Sequence, residues 1–375
     1  MDRPLHIVFL TQWYPHQEDV QNGIFIKHQA ESLAKEHRVS VLWVGASSQE
    51  NRLTISSNKN ATGSLREIEV RYPKARKTLG KTLAWKRAFE QIGDPVDVVH
   101  AHIVDRDFPA WEVWLKAKRI PFIIHEHASF YFHRYKKDLI WHAARKRMLK
   151  RAFKVCPVSA RLKQAMIEQD LDARYEVVPN ILNVPPTTSR KERPSRLKMI
   201  SVGDLVNPVK RFDGILENLT ELQGPWEYDI IGDGPDRDEL EKQAIELFGE
   251  DDSRNVRFLG RMKQEDVQKV LPEYSMCLVN SQYETFGLIA LEALNAGIPV
   301  LSARVGVVEE FITPGVNGHF VDSAAEFPVL IQKTWDQYDQ LDQILLNQQK
   351  RSDFSSEAYF ERMTLTYRQL GLFVD

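Results

Sequence analysis

The chain has 375 residues, 43% hydrophobic and 27% charged, with a net charge of −2, the composition of a soluble globular protein. That length is generous for one core and suits two domains of ordinary size. Only Cys156 and Cys277 are present, both inside apolar runs, which excludes a disulfide framework and predicts two buried free thiols.

No apolar stretch has the length needed to cross a bilayer, and the short apolar run in MDRPLHIVFL is too brief for a signal peptide. A cytosolic protein is expected. The small net charge conceals a division. Residues 1–180 hold 30 Lys+Arg against 20 Asp+Glu, and the remainder holds 20 against 32. The first half is therefore expected to meet something anionic: nucleic acid, a membrane surface or a phosphorylated acceptor.

From the N-terminus, short β-rich runs alternate with helical periodicity: LHIVFL, SVLWV, VDVVHA, PFIIHE, FKVCPVS and YEVVP, with amphipathic stretches such as Ile26–Glu36 and Leu139–Arg151 between them. This is the pattern of a parallel sheet with helical crossovers. Two of these runs end in histidines, VDVVHAHIV with His100 and His102 and PFIIHEHASF with His125 and His127. HAH and HEH lack the helical spacing of a zinc pair, and no metal site is expected. Two stretches are basic. Tyr131–Lys154 carries nine Lys and Arg against Asp138 alone, and Arg71–Arg87 adds seven more around Trp85. An anionic lipid surface is one expected partner; nucleic acid is not, because no recognition module is present.

NVPPTTSRKERPSR (Asn183–Arg196) is rich in Pro, Ser and charge and reads as a linker. After it the pattern restarts with LKMISVG, WEYDIIG, VRFLG, MCLVN, IPVLS and GHFV. The predicted division is 1–185 and 197–353 as two α/β domains of Rossmann type, 186–196 as linker, and 354–375 as a terminal helix that could cross back to the first domain. Open sheets of this kind bind ligands at the carboxyl ends of their strands, so the expected site is a cleft between the domains.

The second half carries the sharper chemistry. In NSQYETFGLIALEALNAGIPVL (Asn280–Leu301) a strand ends near Asn280 and a helix is predicted to begin around Thr285–Gly287. Gly287 removes bulk where backbone must approach a ligand. The N–H groups from Thr285, Phe286 and Gly287 through Leu288 to Ile289 suit a diphosphate at a positive helix end. Glu284 and Glu292 flank that helix start, where carboxylates can each accept two hydroxyls of a sugar or ribose. VGDLVNPVKRFDGIL places Lys210 and Arg211 at a predicted helix start, where a cation can neutralise a departing diphosphate. IIGDGPDRDEL adds Gly232 and Gly234, a weak signal alone.

Taken together these phrases resemble the retaining glycosyltransferase family 4 of the GT-B fold. Glu284 and Glu292 match its E-x7-E motif, followed by EALNAGIPVLSARVGVVEEFITPGVNGHFV, with GDGP and VVPN (Val177–Asn180) also matching. The resemblance implies two Rossmann-like domains facing each other. It implies that Glu284 touches the donor sugar, Glu292 the nucleotide ribose and Lys210 the diphosphate. It implies a UDP- or GDP-linked sugar as co-substrate, no metal or other cofactor, and a saccharide or lipid-linked acceptor on the first domain, near Gly23, His102 and His127. One departure is that Asp204 stands where the family commonly has arginine, and Arg211 is the candidate replacement.

The expected reaction is front-face transfer through an oxocarbenium-like state, with domain closure excluding water. A nucleotide-sugar epimerase or a phosphorylase on the same fold, a dinucleotide oxidoreductase and a non-catalytic sugar-binding subunit are the alternatives. The oxidoreductase is weakened by the lack of GxGxxG after the first strand. Placement on the inner face of the cytoplasmic membrane is expected from the basic stretches.

Overall fold

The computed structural model describes residues 3–48, 50–93, 95–104, 108–133, 139–184, 193–249, 253–340 and 351–373. It divides into two compact units, Met1–Ile181 with Asp353–Asp375, and Leu182–Ser352. Most of the predicted linker, residues 186–192, lies outside the described residues, as do Arg134, Lys136, Lys137 and Asp138.

In the first unit seven strands form one sheet in the order β3-β4-β2-β1-β5-β6-β7. They are β1 (His6–Thr11), β2 (Arg38–Ser47), β3 (Thr54–Lys59), β4 (Leu65–Pro73), β5 (Val98–His102), β6 (Phe122–Glu126) and β7 (Val155–Pro157). β1, β5, β6 and β7 are buried along their whole length, as parallel strands covered on both faces must be.

Two findings correct the sequence reading. β3 and β4 form an antiparallel hairpin at the sheet edge that apolar runs do not reveal. β3, TISSNK, is almost wholly exposed and polar, the usual composition of a protected edge. β4, LREIEVRYP, buries Leu65, Ile68, Val70 and Tyr72 between more accessible residues, a half-buried pattern rather than a continuous run. YEVVP, in contrast, is not a ladder strand. It lies along β7 through hydrogen bonds from Val155 N to Arg174 O (2.9 Å), Glu176 N to Val155 O (3.0 Å) and Val178 N to Pro157 O (3.1 Å).

The terminal helix, Ser356–Gln369, belongs to this first unit. It starts on a Ser355 cap whose hydroxyl accepts from Ala358 N, and it buries Tyr359, Met363 and Tyr367 at helical spacing. Ser32 Oγ donates to Ser356 O (2.8 Å), and the Tyr367 hydroxyl meets His100 Nε2 at 2.8 Å.

The second unit has six parallel strands in the order β10-β9-β8-β11-β12-β13. These are β8 (Leu197–Val202), β9 (Trp226–Ile231), β10 (Arg254–Gly260), β11 (Met276–Val279), β12 (Val300–Ser302) and β13 (Gly318–Phe320), each within or overlapping one predicted run. Helix Phe212–Leu219 lays Phe212, Ile215, Leu216 and Leu219 onto a core with Trp226, Tyr228 and Ile230. Each such side chain contributes about 1.5–3 kcal/mol on burial. Asp229, the buried carboxylate of β9, is held by Arg257 through two 2.7 Å bonds and by the Tyr274 hydroxyl at 2.6 Å, so its charge is not left uncompensated.

Cys156 and Cys277 are both free and buried, and burial pushes their thiols up, Cys277 to about 12. Among the described residues no helix is long and apolar enough to cross a membrane.

Candidate functional site

In the second sheet the chain order reverses between β8 and β11, so the loops leaving these two neighbours diverge and open a crevice at their carboxyl ends. Both sequence motifs sit there. The loop after β8 carries Lys210 and the loop after β11 carries Glu284, and Lys210 Nζ lies 2.5 Å from Glu284 Oε1. Ser281 Oγ donates to the same oxygen at 2.8 Å. The two loops are stitched by Gln282 N to Val209 O (2.7 Å) and Asn280 Nδ2 to Arg211 O (2.9 Å). Residues 74 apart in the chain are thereby fixed within one hydrogen bond of each other.

The local structure around Lys210 differs from the predicted helix start. Asn207–Lys210 is a single turn, and Arg211 adopts φ 53° before helix Phe212–Leu219 begins. A left-handed arginine costs about 1–2 kcal/mol and is retained because Asn207 O and Asn280 Nδ2 hold its backbone on either side. Its side chain is exposed. Asp204, where the family resemblance expects arginine, pairs with Arg261 at 3.1 Å. A guanidinium therefore does stand at this corner, brought by the residue that follows β10. Nothing in the local sequence ties residues 204 and 261 together.

The helix after β11 begins at Leu288, later than predicted, with Gly287 as its cap at φ 88°. That conformation suits glycine, and the first N–H groups of a helix have no partner within it. The N–H groups of Gly287, Leu288 and Ile289 have no acceptor among the described residues. Phe286 is buried, and its carbonyl accepts from Val307 N (2.9 Å). Thr285 is half-buried beside it.

Glu292 lies one turn into this helix and is 6% exposed. Gln264 Nε2 donates to it at 2.5 Å, and Gln268 also hydrogen-bonds its carboxylate. Burial raises its pKa to about 7 against the lowering effect of those two amides. Gln264 and Gln268 escape the sequence reading because both belong to an unremarkable helix, Gln264–Val270.

Gly232 and Gly234 serve the protein's own backbone. A Cβ on Gly232 would stand 1.8 Å from Gly203 O, and one on Gly234 would stand 2.5 Å from Leu205 O. The GDGP turn thus packs flush against the loop that carries Lys210, and Asp236 Oδ2 accepts from Asn207 N (2.6 Å) to pin it. Gly232→Ala is expected to destabilise by about 1–3 kcal/mol through this clash. A lowered thermal midpoint would show it, and an unchanged midpoint would mean that the two loops yield freely.

In the first unit the chain order reverses between β1 and β5. Gly23, His102 and His127 are close to that switch point, from the loop after β1 and the ends of β5 and β6. Gly23 caps helix Ile24–Leu33 at φ 64°, where a Cβ would stand 2.3 Å from Trp13 O. His100, His102, His125 and His127 form one buried stack beside Phe9 and Phe25, with ring centroids 5.1 Å apart for His100–His125 and for His102–His125, and 5.6 Å apart for His102–His127. His102 Nδ1 meets His127 Nε2 at 3.4 Å. Burial lowers the pKa of all four, that of His125 to about 3, so the stack is neutral. His102 is wholly buried and His127 is 3% exposed. Beside them Ile103 has φ 63°, a strained conformation for a β-branched residue at the end of β5.

Both halves match known families. Residues 23–184 match the model for Glycosyltransferase Family 4, and residues 188–359 match that for glycosyl transferases group 1. The lipopolysaccharide 1,6-galactosyltransferase of Escherichia coli K12 is 33% identical over 132 residues, 33% of this chain and 35% of that one. The chain spans about a third of the length of the first curated relatives it matches. Sucrose-phosphate synthase from Thermosynechococcus elongatus has the same fold, with a TM-score of 0.75, 17% identity and coverage of 98% of this chain and 99% of that one. So does HepE of Anabaena, solved with UDP and glucose (TM-score 0.74, 17% identity, 97% and 100% coverage). With two matches that together run from residue 23 to residue 359, and with the E-x7-E carboxylates and their lysine at one switch point, the chain belongs to the group 1 glycosyltransferases of the GT-B fold.

Proposed function

We propose that the protein transfers a sugar from a nucleotide diphosphate to a saccharide or lipid-linked acceptor, with retained anomeric configuration, in the making of a polysaccharide or glycoconjugate. The observation that carries this reading is the meeting of Lys210 and Glu284 beside three unsatisfied helix N–H groups. A dianionic diphosphate is the ligand that satisfies both the cation and the N–H groups. Glu284 then hydrogen-bonds the sugar, and Glu292 accepts the ribose hydroxyls.

In the transfer step the bond from the anomeric carbon to the diphosphate breaks and its electron pair leaves with the phosphate oxygen. Lys210 and the N–H groups of Gly287 to Ile289 stabilise that charge. The acceptor oxygen attacks from the same face, and its proton passes to the departing phosphate. His127, kept neutral by burial, contributes a hydrogen bond rather than a proton. No metal or further cofactor enters this scheme. The reading also places the protein in the cytoplasm, on the inner face of the membrane. The family match favours the transferase over an epimerase, a phosphorylase or a dinucleotide oxidoreductase. The relatives' names give support as well, one being a lipopolysaccharide galactosyltransferase and another a protein solved with UDP and glucose.

The test is thermal stabilisation by UDP, GDP, ADP and NAD, on the wild type and on Glu292→Ala. A ligand at a hundred times its Kd stabilises by about 2.7 kcal/mol. Stabilisation by one nucleoside diphosphate, lost in the variant, supports the reading and names the base. Stabilisation by NAD alone, or by none of the four, overturns it. For the chemistry itself, undiminished transfer by Glu284→Gln would remove Glu284 from the reaction.

A further inference from the structure

The first unit contains a groove of about 1690 Å³ away from the histidine stack, between helices Lys77–Glu90 and Phe108–Lys118 and the start of helix Leu139–Arg151. Its wall is aromatic. Trp85, Phe89, Trp114 and Trp141 line it, and the Phe89 and Trp114 rings stack with centroids 4.5 Å apart and planes 4° from parallel. Pockets for small soluble ligands are commonly about 300–1,000 Å³, so this groove is larger than such a ligand needs.

The same three helices expose apolar side chains. Leu79 (79%) and Leu83 (45%) lie on the stripe of the first helix that also carries Lys86, Val113 (71%) lines the groove, and Leu139 (77%) and Ile140 (81%) precede Trp141. Lysines stand in the lining as well. Lys74, Lys86 and Lys118 have no ion-pair or hydrogen-bond partner among the described residues. The acidic residue in the lining, Glu90, is already paired with Arg87 at 2.8 Å.

The basic helix expected to meet lipid offers much less. Arg147 and Arg151 both pair with Glu112, Lys146 pairs with Asp170 and Lys154 with Glu176, while Lys150 is exposed and has no partner among the described residues. Arg145 is buried, donating to Val104 O at 3.1 Å. Lys74, Lys86 and Lys118, each without a partner among the described residues, therefore stand in one groove lining.

We propose that this groove takes a hydrocarbon chain of an anionic membrane phospholipid, with the lipid phosphate held by Lys74, Lys86 and Lys118. Exposed leucines and isoleucine beside the groove enter the acyl boundary, tryptophans line the chain, and lysine stems reach along apolar surface to place their ammonium groups at the headgroups. This deepens the membrane-facing part of the reading above, and its test does not depend on donor chemistry.

The test uses the full chain with equimolar phosphatidylglycerol–phosphatidylcholine vesicles, with pure phosphatidylcholine vesicles, and with the same mixtures carrying lipids brominated in mid-chain. Flotation on the anionic vesicles alone is expected, with tryptophan fluorescence quenched by the bromine. Each lysine near an anionic surface is worth about fivefold in binding. Changing Lys74, Lys86 and Lys118 together to glutamate should weaken binding at least a hundredfold, on the order of the product of the three. Val113→Asp, at an exposed position, should abolish quenching while leaving the fold intact by circular dichroism. Failure to bind anionic vesicles, binding unaffected by the lysine variant, or binding without quenching would each overturn the proposal. So would self-association that Val113→Asp abolishes, which would assign the groove to a second copy of the chain. Stabilisation by a nucleoside diphosphate, followed in the same samples, reads the donor site separately, so either assignment can fail alone.

Discussion

Lys210→Met is expected to lower the rate of sugar transfer by about 10²–10³-fold, with a smaller loss in donor binding. Removing one preorganised donor from a developing oxyanion costs about 2.7–4 kcal/mol in the transition state, whereas the ground-state diphosphate still has the helix N–H groups. The 2.5 Å pair with Glu284 allows a rival account in which Lys210 only orients that carboxylate. The two accounts separate in a double-mutant cycle. A lysine that acts on the leaving group leaves Lys210→Met and Glu284→Gln with largely additive effects on kcat. A lysine that only orients Glu284 adds nothing once Glu284 is gone, and that outcome would remove it from the leaving-group role. Donors with a better leaving group should also rescue Lys210→Met more than the wild type, since less charge then needs stabilising.

The second large effect belongs to Glu292 and depends on pH. Its pKa is raised to about 7 from the ordinary carboxylate value, chiefly by burial. A raised carboxylate pKa means that the unfolded chain releases this proton first. Its cost to the free protein is absent below the unfolded pKa, grows as pH rises from about 4.5, and is complete above about 7. The full cost is on the order of 3 kcal/mol by the size of the shift. Glu292→Gln should therefore leave the protein near wild-type stability at acidic pH and make it more stable than wild type at pH above about 7. Thermal midpoints across pH would show two curves that diverge upward in pH, by roughly 2–4 °C for each kcal/mol. Parallel curves would mean that the carboxylate is not strained. The same variant should lose affinity for the nucleoside diphosphate at high pH, where the wild type presents an ionised acceptor for two hydroxyls. A more stable protein that binds worse is the signature of a group kept for function at a cost to the fold.

Glu292 also illustrates how far sequence reaches. Its place eight residues beyond Glu284, on a helix following a strand, is enough to nominate both carboxylates. Its environment is not. Burial and the contacts of Gln264 and Gln268 come from another helix, and a chain read locally contains no sign of them. Asp204 and Arg261 are the same case, since an arginine missing from one loop is matched by an arginine at the end of the strand two places away in the sheet.

Short buried strands were legible wherever parallel pairing makes them continuously apolar, as in LHIVFL, PFIIHE and MCLVN. The edge hairpin was not, because TISSNK and LREIEVRYP are half or wholly exposed and carry charge at strand positions. The basic stretch Tyr131–Lys154 was legible as charge, but the pairing of its cations was not. Glu112, which pairs with both Arg147 and Arg151, lies on a different helix. What the sequence determined by itself is therefore what local periodicity and fixed motif spacing encode: two α/β halves, their buried strands, and the Lys210, Glu284 and Glu292 set. What only the tertiary structure decided is which charges are spent on one another. That includes the Lys210–Glu284 pair, the neutral histidine stack and the free lysines around the aromatic groove. Such pairings form between residues distant in the chain, and electrostatic and desolvation energies depend on distance and burial, not on order along the chain.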